Sequence, residues 1–125
     1  MVGKLFQKRI NEILDKFKDK DIIISLNSAN FFGQQSLKSL QIRGNGVLIL
    51  TPEELYFEMW HPQKVLEIPI SSIVKVENTR SFLHKTVFSK LLKVIFRNET
   101  GEEDAAAWWV NSLNKWIEEL EKIKK

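Results

Sequence analysis

Histidine is the side-chain type that ordinarily changes charge near neutrality and can act as a general base or a metal ligand, and this 125-residue chain has two, His61 and His84. Neither stands at a spacing that pairs it with a nucleophile, a second histidine or a metal-binding carboxylate; His61 precedes Pro62 in a turn and His84 lies in a basic stretch. Cysteine is absent, which removes thiolate nucleophiles, thiolate metal sites and disulfides together and fits a reducing compartment. The carboxylates Glu99, Glu102, Glu103 and Asp104 cluster around a turn but lack the alternating oxygen ligands of a calcium loop, and read as a solvated hairpin tip. No catalytic, cofactor-binding or metal site is expected, so the chain reads as a binding module rather than an enzyme.

Cations supply the most pronounced pattern. Between Glu77 and Glu99 the basic residues Arg80, Lys85, Lys90, Lys93 and Arg97, with His84, are interrupted by no acid. Phe82, Leu83, Val87 and Phe88 are interleaved with them. Cations beside apolar side chains suit peripheral contact with an anionic membrane, at about 1 kcal/mol per basic residue. Arg80, His84, Lys85, Lys90, Lys93 and Arg97 are therefore the lipid-binding candidates. The competing reading packs the same apolar residues under the domain and leaves the lysines to solvate it. Bulk charge adds little, with 19 basic residues against 16 acidic ones. Residues 1–20 carry six basic and three acidic groups, and residues 21–110 nine and ten, so nucleic acid is a disfavoured partner.

The elements that must position these groups follow from periodicity. Phe6, Ile10, Ile13, Leu14 and Phe17 recur every three or four residues and predict an amphipathic helix over residues 3–18. The period then becomes two, with a first strand over residues 22–32. A weak extended segment, residues 37–43, leads to Gly44-Asn45-Gly46, a strong turn signal. Residues 47–50 and 55–59 predict a hairpin joined by Thr51-Pro52-Glu53-Glu54, with Leu48, Leu50, Leu55 and Phe57 facing inward. After a turn at His61-Pro62-Gln63-Lys64 come short strands at 65–68 and 73–76, separated around Pro69. Residues 91–97 predict a strand with Leu92, Val94 and Phe96 on one face. Residues 102–110 are balanced between helix, for Ala105-Ala106-Ala107, and the partner strand that the preceding turn requires; strand is preferred. Asn111 or Ser112 caps a final helix whose stripe is Leu113, Trp116, Ile117, Leu120 and Ile123.

About seven short antiparallel strands followed by an amphipathic helix predict a mainly β (α+β) domain, a partly open barrel capped by the C-terminal helix. The expected organisation is an N-terminal amphipathic helix at 1–20 and a domain at 21–125. No apolar run approaches the ~20 residues of a membrane span, and Leu5-Phe6 is followed by Gln7-Lys8-Arg9 instead of an apolar signal core. The expected location is cytoplasmic, with peripheral contact to a membrane.

Several runs carry a family resemblance. Ala29-Asn30-Phe31-Phe32, Gly46-Val47-Leu48-Ile49-Leu50-Thr51, Leu55-Tyr56-Phe57, Glu67-Ile68-Pro69-Ile70, Leu91-Leu92-Lys93-Val94-Ile95-Phe96 and Trp116-Ile117 occur in the order and spacing of a GRAM domain of the pleckstrin-homology (PH)-like superfamily. The chain resembles that family over residues 21–120. The resemblance implies a PH-like barrel, no enzyme activity, and a lipid, peptide or protein ligand. Phosphoinositide-binding relatives place lysines and arginines on the first hairpin, whereas residues 22–36 here contain none.

A second candidate surface is apolar. The stripe bearing Phe6, Ile10 and Phe17 packs on its own barrel, docks on a partner or a second copy, or lies on a membrane; packing within the chain is expected. Trp108 and Trp109 are adjacent in a strand and must point to opposite faces, so one lies outside the core. Phe6, Ile10, Phe17, Trp108 and Trp109 are the interface candidates for a protein partner.

Overall fold

The computed structural model describes residues 2–37, 43–82 and 85–124, with side chains described from Phe6 onward and, after Phe82, from Lys90. The elements run α1 (Val2–Asp15), β1 (Ile24–Gln34), β2 (Gly44–Leu50), β3 (Glu54–Met59), β4 (Val65–Pro69), β5 (Ile73–Phe82), β6 (Lys85–Arg97), β7 (Glu103–Trp109) and α2 (Leu113–Ile123). The strands form one seven-stranded sheet in the order β4-β3-β2-β1-β7-β6-β5, with every neighbouring pair antiparallel. The central strand β1 pairs with β2 through Ile24 to Phe31 and with β7 through Asn30 to Gln34, and its register shifts twice, between Leu26 and Ala29 and between Phe31 and Gly33. Such irregularities bend a strand. One long strand thereby serves both halves of the sheet, which curls into a PH-like partly open barrel with β4 and β5 as its edges.

Alternation along the strands separates two faces. Leu48, Leu50, Leu55, Phe57, Leu92, Val94 and Phe96 all enter the inner core, as their spacing predicts. Three aromatic rings organise that core: Phe31 lies 5.0 Å from Phe57 and 5.9 Å from Trp108, and Phe57 lies 5.8 Å from Trp108. Offset and edge-on contacts at these separations favour ring pairs beyond their burial. Helix α2 closes the barrel with Trp116 and Leu120 fully buried and Leu113, Ile117 and Ile123 packed around them. Ser112 precedes the helix, but in a left-handed conformation (φ 53°, ψ 44°) and without a side-chain hydrogen bond; its carbonyl accepts from the amides of Lys115 and Trp116 instead.

The outer face carries two further apolar clusters. Ile10, Ile13 and Phe17 of the N-terminal segment cover Val47, Ile49 and Tyr56 of β2 and β3. On the other half, Phe32, Phe82 and Leu91 pack with Ala105 and Ala107. The alanine triplet therefore belongs to strand β7: Ala106 enters the inner core, while small side chains at 105 and 107 leave room for rings on the outside.

Several boundaries move. The first helix ends at Asp15 and continues as a turn to Asp19, within which Phe17 is still buried. Gly44-Asn45-Gly46 is not a turn but the start of β2. A Cβ on Gly46 would stand 2.5 Å from the Glu58 carbonyl oxygen and 2.7 Å from the Phe57 ring, and one on Gly44 would overlap the end of Met59. Glycine is required at 46 for close packing across the sheet, not for a reversal, whereas at 44 the flexible Met59 side chain can give way. Residues 38–42, most of the expected extended segment, lie outside the described residues; Gln35–Leu37 form a single 3-10 turn. Strand β5 runs on to Phe82 and β6 begins at Lys85, so most of the basic stretch belongs to paired strands.

Candidate binding cleft

The N-terminal helix is fixed to the barrel by a buried charge. Glu58 projects from the outer side of β3 with no solvent exposure, where α1 and the turn after it bring two cations to it. Arg9 Nη2 and the Tyr56 hydroxyl donate to its two oxygens, Lys16 Nζ donates at 2.8 Å and Gln63 Nε2 at 3.1 Å. Arg9 also donates to the carbonyls of Trp60 and Met59, at 3.3 Å each. Burial alone would push the Glu58 carboxyl up, but the hydrogen bonds from Lys16, Tyr56 and Arg9 outweigh it and hold the group at about 2. The same burial, with the neighbouring carboxylate, pushes the Tyr56 hydroxyl up. Phe6 stacks on Trp60 at 5.0 Å and Phe17 meets Tyr56 edge-on at 4.8 Å. Ile10 and Phe17 are buried inside this chain and Phe6 is engaged with it, so the helix stripe is not a free docking surface.

One acid of the expected hairpin tip is not solvated. Glu99, Glu102 and Glu103 are exposed, but Asp104 is buried and accepts from Gln34 Nε2 at 2.8 Å, Ser36 Oγ at 2.7 Å, and the amides of Ser36 at 2.9 Å and Ala105 at 2.8 Å. Burial opposes its charge, and these four donors lower its titration regardless. Asp104 thus ties the end of β1 and the 3-10 turn to β7.

The lipid-binding candidates are spread along β5 and β6. Lys93 Nζ stands 3.4 Å from Glu77, which also pairs with Lys75 at 3.3 Å, so the stretch that lacks acids in sequence meets one in space. Burial raises and the two lysines lower the Glu77 carboxyl, with a net downward shift. Arg97 donates to the Gly101 carbonyl at 3.2 Å. It lies seven residues along β6 from Lys90, a separation of about 23 Å at ~3.3 Å per residue. Lys90 and Arg80 are exposed near the other end of the hairpin. His84 and the side chain of Lys85 lie outside the described residues. Phe82 is buried on the sheet's outer face, as the competing packing reading has it.

Trp108 and Trp109 divide as strand alternation demands. Trp108 is fully buried in the barrel, where its indole nitrogen has no hydrogen-bond partner among the described residues, whereas Trp109 is 38% exposed on the outer face. Trp109 is paired across the sheet with Asn30, and Asn30 with Asn45. Together with Ser28, Phe32 and Arg43 they line an open cleft of about 440 Å³ between the two outer apolar clusters. The Arg43 guanidinium lies 3.8 Å over the Phe32 ring and its Nη2 donates to Asn30 Oδ1 at 3.3 Å. Asn30 Nδ2 in turn donates to Asn45 Oδ1 at 3.0 Å. An aromatic wall, a placed cation and two amides thus converge on one concavity, the composition expected of a recognition site. Arg43, Asn30 and Asn45 were not among the residues singled out by sequence. The signal available was Asn30 opposite Trp109, two outward positions on strands destined to pair.

A second cleft, about 700 Å³, opens near Glu54, Glu67, Phe96, Arg97 and Glu99. Burial and the adjacent Glu67 push the Glu54 carboxyl up. Among the described residues no three histidine, cysteine or carboxylate side chains stand close enough to hold a metal ion, and no helix is long and apolar enough to cross a membrane.

No family model and no curated protein matches the chain. Solved structures do resemble it. A chain of "The 8S snRNP Assembly Intermediate" superposes with a TM-score of 0.65 at 7% identity, over 82% of this chain and 81% of that one. The crystal structure of the C-terminal domain of an unknown protein from Leishmania infantum superposes with a TM-score of 0.57 at 13% identity over all of both chains. At these identities the likeness concerns the fold alone.

Proposed function

We propose that this chain is a non-enzymatic binding module of the GRAM type within the PH-like superfamily, and that it works by gripping a protein segment in the Trp109 cleft. The observation that carries this reading is the exposed indole of Trp109 beside the stacked Arg43. Tryptophan and arginine are the residue types most enriched where binding energy concentrates, and a concave, partly apolar setting is where they contribute most. The family assignment is supported by the ordered motifs of residues 21–120 together with the fold.

Contact with an anionic lipid surface is the second reading, favoured by the exposed Lys90 and Arg80 near one end of the β5–β6 hairpin. It is the weaker one, because Lys93 and Lys75 share Glu77 as a countercharge and Arg97 lies far along the strand.

Selection of a random-peptide phage library on the full chain, with Trp109→Ala as counter-target, separates the two. The protein reading expects peptides that lose roughly tenfold or more in affinity for the variant. Failure to select any Trp109-dependent peptide, together with salt-sensitive co-sedimentation with phosphatidylserine vesicles, would overturn it in favour of lipid.

A further inference from the structure

We infer that the segment received by the Trp109 cleft presents a carboxylate side chain next to an aromatic or large aliphatic one. This rests on the protein-binding reading and adds the chemistry of the partner.

Charge is the first argument. Among the described residues Arg43 is the one ionisable group lining the cleft, and no carboxylate pairs with it. A guanidinium offers five N–H donors in a rigid fork suited to bidentate contact with a carboxylate. Here one hydrogen bond, to Asn30, orients it, and the Phe32 face beneath it fixes its plane. The cation is held in place before any ligand arrives, which reduces the ordering cost of binding.

Shape and polarity supply the rest. Trp109 presents its exposed indole along the same cleft, and about 440 Å³ admits one or two side chains rather than an extended polymer. Asn45 Oδ1 is occupied by Asn30, which leaves the Asn45 amide nitrogen to donate to a ligand carbonyl. An anionic side chain for Arg43, a flat or branched apolar side chain for Trp109 and a main-chain carbonyl for Asn45 occur together in a short peptide. A nucleic-acid backbone or a membrane surface would call for several clustered cations, and among the described residues the cleft has one.

The test uses the phage-selected peptides against the full chain, measured by fluorescence anisotropy. Each acidic peptide is compared with its Asp→Asn or Glu→Gln form, on the wild type and on Arg43→Gln. The inference expects an acid beside an aromatic or aliphatic residue in the enriched sequences. Amidation should weaken binding roughly tenfold on the wild type and far less on Arg43→Gln, because the two changes remove the same ion pair. Trp109-dependent peptides that lack acids, or that lose nothing on amidation, would overturn the carboxylate assignment while leaving the protein-binding reading intact. Absence of any Trp109-dependent peptide overturns both. Circular dichroism of Arg43→Gln, expected to match the wild type, separates lost binding from lost folding.

Discussion

Glu58 shows how much one residue can organise. In sequence it is an acid in a strand whose nearest residues are Leu55, Tyr56, Phe57 and Met59, and none of these supplies a countercharge. The two cations come from 42 and 49 residues away, on Lys16 and Arg9, so periodicity along the chain could not have shown them. Replacing it by glutamine removes the countercharge of two cations, of which Arg9 is 21% and Lys16 49% exposed. Cations that reach water recover part of their hydration, so the loss expected for Glu58→Gln is about 3 kcal/mol, at the low end for a broken buried pair, read from urea unfolding. The pH dependence has a definite sign. The carboxyl sits near 4.5 when unfolded and at about 2 when folded. Its contribution to stability is therefore fully present above about 4.5 and is lost progressively as pH falls toward 2. Acid titration of stability should show this loss in the wild type and lack it in Glu58→Gln. Asp104 was misread as solvated for the same reason: its donors Gln34 and Ser36 come from the far end of β1 and the turn after it.

At the scale of elements, alternation was legible wherever one face of a strand is buried. Residues 47–50, 55–59 and 91–97 appear as expected, because inward Leu48, Phe57 and Val94 alternate with outward neighbours. The strand choice for residues 102–110 also holds, the turn at Gly101 (φ 84°) outweighing the helix propensity of three alanines. Gly44-Asn45-Gly46 misled because a glycine needed for close packing carries the same signature as one needed for a turn. Gly46→Ala should cost about 1–3 kcal/mol by overpacking against Phe57 and the Glu58 carbonyl, checked by the shift in urea midpoint at unchanged slope. The N-terminal helix is a part of the fold rather than an appendage. Ile10, Ile13 and Phe17 are buried on β2 and β3, and at roughly 2 kcal/mol each their removal approaches the whole stability of a small domain. A chain beginning at Asp21 should therefore lose its cooperative unfolding transition and bind an apolar dye; retention of both native stability and dye exclusion would show that the helix is dispensable.

At the scale of the whole molecule, the barrel leaves its outer face divided, one half under α1 and the other under Phe32 and Phe82, with the Trp109 cleft between. Sequence could place one of the two adjacent tryptophans outside, since a strand permits nothing else. It could not bring Arg43 onto Phe32 or Asn45 beside Asn30, because those contacts depend on how β1 and β2 pair. A continuous run of cations was equally misleading in the opposite direction: Lys93 finds Glu77 on the neighbouring strand, and the run becomes two separated ends. Nuclear magnetic resonance of the full chain titrated with a phage-selected peptide and, separately, with phosphatidylserine nanodiscs tests the central claim most directly. The account predicts that the peptide shifts the Trp109 indole signal and the side-chain amides of Asn30 and Asn45, and leaves Lys90 and Arg80 unmoved. Peptide-induced changes confined to other surfaces, or nanodisc-induced changes centred on Lys90 with Trp109 silent in both titrations, would contradict it.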